Sequence, residues 1–101
     1  MDQYTDLFNL EGKVAIVTGS AGILGSEFCK ALCKLGANVA CFDVEEISLN
    51  QLIGELSQQY GNSRVKGFLC DVSDANAVAQ AVTDVITYFA DSTVKCNKIA
   101  K

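Results

Sequence analysis

The stretch VAIVTGSAGILGSEFCKAL, residues 14–32, constrains the fold of this chain more than any other segment. An apolar, β-branched run ends at Thr18, glycines follow at Gly19, Gly22 and Gly25, and an amphipathic pattern then begins. This order predicts a buried strand, a tight turn and a helix. At such a junction the first glycine permits the turn, the second lets backbone approach a pyrophosphate, and the third lets the helix pack closely on the sheet. The stretch therefore predicts a dinucleotide-binding loop.

The rest of the chain continues the alternation of strand and helix. β-Branched and apolar runs predict strands at 13–18, 38–43 and 65–70, and helical spacing of apolar residues predicts helices over about 24–35, 47–61 and 77–89. The order βαβαβα implies an α/β fold, a Rossmann-like half of a doubly wound parallel sheet with strand order 3-2-1.

The apolar pattern fades after Asp91, and no further strand is predicted there. The predicted organisation is a leader over 1–12, a binding half-domain over 13–91 and an irregular tail over 92–101. Strand one would then have an unpaired edge, which predicts self-association through that edge.

Composition excludes several classes of partner. The net charge of −4 argues against nucleic acid and against an anionic membrane surface. No apolar run approaches the ~20 residues that a membrane span needs, and the N-terminus has no apolar signal region. Five cysteines without C-x-x-C spacing, in a chain with no histidine, predict free thiols in a reducing cytoplasm. A zinc site on Cys29 and Cys33 is a weaker alternative, so no metal is predicted.

An acidic residue, Asp43, ends the second predicted strand. A carboxylate there can accept hydrogen bonds from both ribose hydroxyls of an adenosine. A 2′-phosphate would face Asp43 with Glu45 and Glu46 nearby, so this position favours NAD over NADP. The alternative is that Asp43 only starts a turn and caps the second helix.

A second acidic residue, Asp71, follows the third strand and is predicted at the same end of the sheet as the glycines and Asp43. It can accept a hydrogen bond from the adenine amino group while Val72 contacts the ring. The alternative is that the sequence DVSD only caps the following helix, with Ser73 or Asp74 as the cap. The complete set of predicted cofactor contacts is Gly19, Ser20, Gly22, Ile23, Leu24, Gly25, Asp43, Val44, Asp71 and Val72.

Together these segments resemble the start of the short-chain dehydrogenase/reductase family. LFNLEGKVAIVTG is similar to its entry into strand one, TGSAGILG to its glycine loop, FD at 42–43 to its NAD-selecting acid, and CDVSD to its adenine-side aspartate. The resemblance covers residues 7 to about 90. It implies an NAD-dependent oxidoreductase that transfers hydride to or from an alcohol or ketone, sugars and polyols included.

Two departures from the family pattern limit this interpretation. The loop reads T-G-x-x-G-x-x-G where the commonest single-domain members have T-G-x-x-x-G-x-G, which leaves the subfamily open. The family's catalytic Tyr-x-x-x-Lys pair is absent, since Tyr4, Tyr60 and Tyr88 are each followed four positions later by a residue other than lysine. No catalytic residue is therefore assigned.

The favoured interpretation is the N-terminal NAD-binding portion of such an oxidoreductase, with substrate bound only in a full-length form. Two alternatives stay open. One is a non-catalytic module that pairs with a full-length homologue, and the other is an unrelated α/β domain that holds a mononucleotide.

Overall fold

A computed structural model describes residues 10–90 and the backbone of 99–100. The predicted leader and tail lie largely outside these residues. The strands are β1 Val14–Thr18, β2 Asn38–Asp43, β3 Val65–Leu69 and β4 Ile99–Ala100, and the helices are α1 Ile23–Lys34, α2 Glu46–Tyr60 and α3 Ala75–Ala90. The predicted alternation of strand and helix is confirmed over residues 14–90.

The four strands form one parallel sheet in the order β3-β2-β1-β4. The predicted order 3-2-1 is confirmed within it. The prediction of no strand after Asp91 was wrong. Ile99 and Ala100 pair with Val14 and Ala15 and so cover the edge of β1 along its amino-terminal half. A strand of two residues is too short to carry an alternating pattern, and only its pairing with a distant segment defines it.

Helices cover both faces of the sheet. On one face α1 and α2 pack over a core that includes Cys29, Val39 and Leu52. On the other face α3 packs Val85 and Phe89 against Val14, Ala40 and Phe42. This arrangement is one half of a doubly wound fold, and it leaves the carboxyl ends of the strands open at one edge.

The buried face of α1 agrees in part with the predicted one. The periodicity groups Phe28, Cys29, Leu32 and Leu35. The structure buries Cys29, packs the half-buried Leu32 against the same core and also buries Cys33, but it leaves 59% of Phe28 exposed. Small thiol side chains let the helix lie close to the sheet, so the helix turns its larger side chain outward. Among the described residues, no helix combines the length and the hydrophobicity needed to cross a bilayer.

Arg64 joins the end of α1 to the turn before β3. No pattern in the sequence predicted this role. Its guanidinium Nη2 donates to the carbonyl oxygens of Cys33 at 2.8 Å and Ala37 at 2.6 Å, and its Nε donates to Ala37 at 3.2 Å. The Arg64 carbonyl in turn accepts from the amide of Val39 at 2.7 Å. A cation at the carboxyl end of a helix also interacts favourably with the helix dipole.

Candidate nucleotide-binding site

The carboxyl ends of β1, β2 and β3 bring the predicted cofactor contacts to one edge of the sheet. An open cavity of about 200 Å³ lies there, and it is lined by Gly19, Asp43, Val44, Cys70, Asp71 and Val72. Three loops that are far apart in sequence therefore meet around one cavity. Cys70 was not predicted as a lining residue, although its place directly before Asp71 could have indicated it.

The glycine loop, residues 19–22, turns the chain sharply from β1 into α1. Gly19 has φ of +63°, a left-handed conformation that glycine adopts without steric cost. The amide of Gly22 donates to the carbonyl of Gly19 at 3.1 Å and closes the turn. A Cβ on Gly22 would meet the Gly19 oxygen at 3.4 Å, an ordinary contact, so the protein's own atoms leave room at this position.

Gly25 lies in the first turn of α1, directly against this loop. A Cβ at Gly25 would overlap the Gly19 carbonyl and would lie 2.9 Å from the Cα of Ser20. The third glycine is therefore needed for a close approach of α1, as the sequence predicts, but the backbone it approaches is the loop after β1, where the prediction named the sheet.

The N-terminus of α1 is open toward an anion. Gly22 is the N-cap residue and offers no side chain to cap the helix, and the first turn contains no acidic residue. Ile23 and Leu24 begin the helix with exposed side chains. The first amides of a helix have no acceptor within the helix and carry the positive end of its dipole, so this end can bind a phosphate group.

Ser20 is placed differently from the other predicted contacts. Its side chain is completely buried, and its Oγ donates to the Val17 carbonyl at 2.6 Å. Its amide donates to the Phe42 carbonyl at 3.0 Å. The buried side chain of Ser20 therefore stabilises the loop by bonding it to the end of β1.

Asp43 connects the end of β2 to the glycine loop. Its Oδ2 accepts from the amide of Ala21 at 2.9 Å, and its Oδ1 accepts from the amide of Glu45 at 2.9 Å. The alternative, that Asp43 starts a turn and caps the second helix, is met in its first half, since the bond to the Glu45 amide forms a turn, whereas the N-cap residue of α2 is Glu45. The carboxylate lies at the cavity and each of its oxygens keeps a further lone pair.

Asp71 is exposed and lines the same cavity as Asp43. Its Oδ1 accepts from the hydroxyl of Ser73 at 2.7 Å and from the amide of Ser73 at 2.9 Å. These two hydrogen bonds stabilise the charged form and lower the pKa of Asp71. Asp74 caps α3 instead, since its Oδ1 accepts from the amides of Asn76 and Ala77. Asp71 therefore remains an ionised acceptor beside Val72.

A cluster of thiols lies beneath the glycine loop. The Sγ atoms of Cys29 and Cys41 are 3.6 Å apart and fully buried. Burial raises the pKa of Cys33 to about 11, and the hydrogen bond shared with Cys29 together with burial raises the pKa of Cys41. Within the described part of the chain no cluster of cysteine and carboxylate side chains is arranged to hold a metal ion. These thiols act as small apolar core residues.

Comparisons with known proteins agree with this geometry. A family model described as short chain dehydrogenase matches residues 13–94. The D-threitol dehydrogenase of Mycolicibacterium smegmatis is 39% identical over 79 residues, which are 78% of this chain and 29% of that protein. The NADP-dependent mannitol dehydrogenase of Alternaria alternata is 34% identical over 87 residues, 83% of this chain and 32% of that protein.

A solved structure shares the same fold. The short chain dehydrogenase/reductase of Burkholderia phymatum in complex with NAD superposes with a TM-score of 0.76 at 28% identity, over 82% of this chain and 29% of that one. The chain spans about a third of the length of these three proteins. The family match, the relatives and the parallel sheet with its glycine loop together place this chain in the short chain dehydrogenase family.

Proposed function

We propose that this chain binds NAD at the open end of its sheet, as the cofactor-binding portion of an oxidoreductase that acts on an alcohol or ketone, with sugars and polyols as the substrate class. The observation that carries this proposal is the meeting of the glycine loop, Asp43 and Asp71 around one cavity. The polyol class is supported by the names of the D-threitol and mannitol dehydrogenases. A bound nicotinamide supplies the hydride donor or acceptor.

The cavity and the N-terminus of α1, which lies outside the cavity lining, offer features that fit different parts of the dinucleotide. The uncapped N-terminus of α1 offers amides and a favourable dipole to the pyrophosphate. The Asp43 carboxylate offers acceptors to the ribose hydroxyls, and Asp71 offers one to the adenine amino group. Val44 and Val72, both more than half exposed, offer apolar surface at the cavity that a planar ring can cover.

The preference for NAD over NADP follows from charge. The cavity lining contains two carboxylates and neither lysine nor arginine, so a 2′-phosphate would meet like charge with no cation to offset it. Two unit charges about 4 Å apart repel by ~1 kcal/mol in water and by ~4 kcal/mol in the environment near a protein surface. We therefore expect NADP to bind at least about tenfold more weakly than NAD.

Isothermal titration of the purified chain with NAD, NADP and AMP tests this proposal. We expect binding of NAD, weaker binding of NADP, and AMP weaker than NAD because the pyrophosphate contacts at α1 are lost. Equal affinity for NADP would overturn the cofactor preference. A preference for AMP over NAD would instead favour a mononucleotide site. Glu55→Gln, on the exposed side of α2, removes one negative charge outside the cavity and serves as the control.

A second candidate function rests on the edge of β1. Within the described residues β4 pairs only with Val14 and Ala15, so the carboxyl half of the strand has no neighbour on that side. An open cavity of about 510 Å³ adjoins this half and is lined by Ile16, Val17, Thr18, Phe28, Ala31 and Leu32. Unpaired edges and exposed apolar surface favour association, so we propose that the chain self-associates here.

Light scattering over a range of protein concentrations tests this second proposal. We expect the mass of the native chain to rise with concentration, and we expect Phe28→Glu to reduce that rise because it places a charge in the apolar cavity. Phe28 is already largely exposed, so the variant keeps its fold. A concentration-independent monomer mass for the native chain would overturn the proposal.

The predicted cytoplasmic location remains a proposal as well. It is supported by Cys29, Cys33, Cys41 and Cys70, which are free thiols in the described part of the chain.

A further inference from the structure

We infer that Asp43 is a positioning residue for the glycine loop, so that the carboxylate proposed to select the ribose also holds the backbone proposed to receive the pyrophosphate. The part of this inference that concerns cofactors rests on the proposed function. The part that concerns the loop rests on the ligand-free protein alone.

The glycine loop is tied to the end of β2 at two successive residues. The amide of Ser20 donates to the Phe42 carbonyl at 3.0 Å, and the amide of Ala21 donates to Oδ2 of Asp43 at 2.9 Å. The first bond joins main chain to main chain and survives any substitution at position 43. The second bond spans 22 residues of sequence and depends entirely on the Asp43 side chain.

The Ala21 bond has the properties of a strong anchor. Its acceptor is a carboxylate, and hydrogen bonds to a charged partner are roughly twice as strong as neutral ones. The carboxylate is also held in orientation, because its other oxygen accepts from the amide of Glu45 at 2.9 Å. Asp43 therefore reaches the loop from a fixed position at the end of the sheet.

This arrangement leaves capacity for a ligand. A carboxylate offers about four lone-pair sites, and the two backbone amides use only one on each oxygen. Ribose hydroxyls can donate to the remaining sites while the Ala21 bond stays in place. Removing the carboxylate, in contrast, takes away the ribose acceptor and releases the loop at the same time.

The two roles of Asp43 affect how a substitution there changes the preference between NAD and NADP. Replacing Asp43 with a small neutral residue removes the repulsion of a 2′-phosphate, and charge alone would then predict tighter NADP binding. Because the loop loses its anchor, we expect the affinity for both NAD and NADP to fall, NADP included.

Amide hydrogen exchange measured by NMR on the ligand-free chain tests the positioning role. We expect Asp43→Ala to speed the exchange of the Ala21 amide by about tenfold, the effect of losing one charge-assisted bond. Asp43→Asn keeps a side-chain oxygen as acceptor, so its exchange should stay within about threefold of the native rate. The amide of Val39, which donates to the Arg64 carbonyl, reports the intact sheet. Glu46→Gln removes a neighbouring exposed charge and should change neither amide.

An unchanged Ala21 exchange rate in Asp43→Ala, with Val39 still protected, would overturn the inference. If that variant loses Val39 protection as well, the native protein decides through the NMR scalar coupling across the hydrogen bond between the Ala21 amide nitrogen and the Asp43 side-chain carboxyl carbon. The absence of that coupling would also overturn the inference.

Titration of Asp43→Ala with NAD and NADP tests the cofactor part. We expect the affinities for NAD and NADP both to fall by about tenfold or more. A gain in NADP affinity would contradict the cofactor part of the inference. If the native chain binds neither cofactor, the proposed function fails, whereas the Ala21 exchange still decides the positioning role.

Discussion

Gly25 lies so close to Gly19 that a Cβ on Gly25 would overlap the Gly19 carbonyl oxygen and stand 2.7 Å from its carbonyl carbon. Both atoms that it would meet belong to backbone, which cannot rotate away. The first turn of α1 and the glycine loop therefore fit together only while position 25 has no side chain.

We expect Gly25→Ala to cost at least about 2 kcal/mol of unfolding free energy, because overpacking against backbone forces the helix or the loop to shift. Gly54→Ala is the matched control. Gly54 lies in α2 with nothing within 4 Å of the added Cβ, so alanine there should stabilise the protein by about 0.5–1 kcal/mol. Urea unfolding followed by circular dichroism measures both. A Gly25→Ala protein as stable as the native one would contradict this prediction, because it would show that the loop shifts without a loss of stability.

Arg64 supplies a second prediction, because its guanidinium binds two carbonyl groups at the end of α1. Arg64→Ala removes all of these bonds and should destabilise the fold by about 2–3 kcal/mol. Arg64→Lys should recover only part of this, since an ammonium lacks the planar fork. Lys66→Ala, which removes an exposed cation 5.4 Å from the Tyr88 ring, should cost no more than about 1 kcal/mol. Thermal unfolding would contradict the prediction if the two alanine variants were equally stable.

Asn38 opens β2 with a side chain that is 1% exposed and whose Oδ1 and Nδ2 find no hydrogen-bond partner in the described part of the chain. A buried polar group without a partner costs about 1–3 kcal/mol, so Asn38→Leu should raise the free energy of unfolding by about 1 kcal/mol. Asn38→Asp has a similar shape but buries a charge, and it should lower stability strongly. Urea midpoints give both values, and a loss of stability in the leucine variant would mean that the amide has a role in the core.

The thiol of Cys33 predicts a loss of stability at high pH. Burial raises its pKa from 9.0 to about 11, so the folded state keeps the proton that the unfolded state releases above pH 9. Stability is therefore complete below pH 9 and falls as the pH rises toward 11, by up to about 2–3 kcal/mol from this group.

Urea unfolding at pH 8, 9 and 10 checks this dependence. In Cys33→Ala the fall over the same range should be smaller, although not absent, because the pKa of Cys41 is raised too. An identical fall in both proteins would assign the pH dependence to other groups.

The local signals in the sequence predicted most of the fold because they are repeated along each element. β-Branched runs marked β1, β2 and β3 to within one residue at each end, and periodicity marked all three helices. The glycines predicted the turn at Gly19 and the close approach at Gly25 for the same reason, since each position acts on its immediate neighbours.

Contacts between distant segments were decided only by the tertiary structure. β4 exists because Ile99 and Ala100 meet β1, and two residues carry no pattern of their own. Phe28 faces outward because the rotation of α1 depends on how closely Cys29 and Cys33 approach the sheet.

The sequence by itself determined the order of strands and helices, the glycine turn and the acidic residues at the strand ends, since these depend on local spacing. Only the tertiary structure decided that Asp43 bonds to Ala21, 22 residues away, and that Gly19, Asp43 and Asp71, which the sequence predicts at one end of the sheet, line a single cavity. Parallel strands bring such residues together through their pairing register, and that register is set by packing on both faces of the sheet.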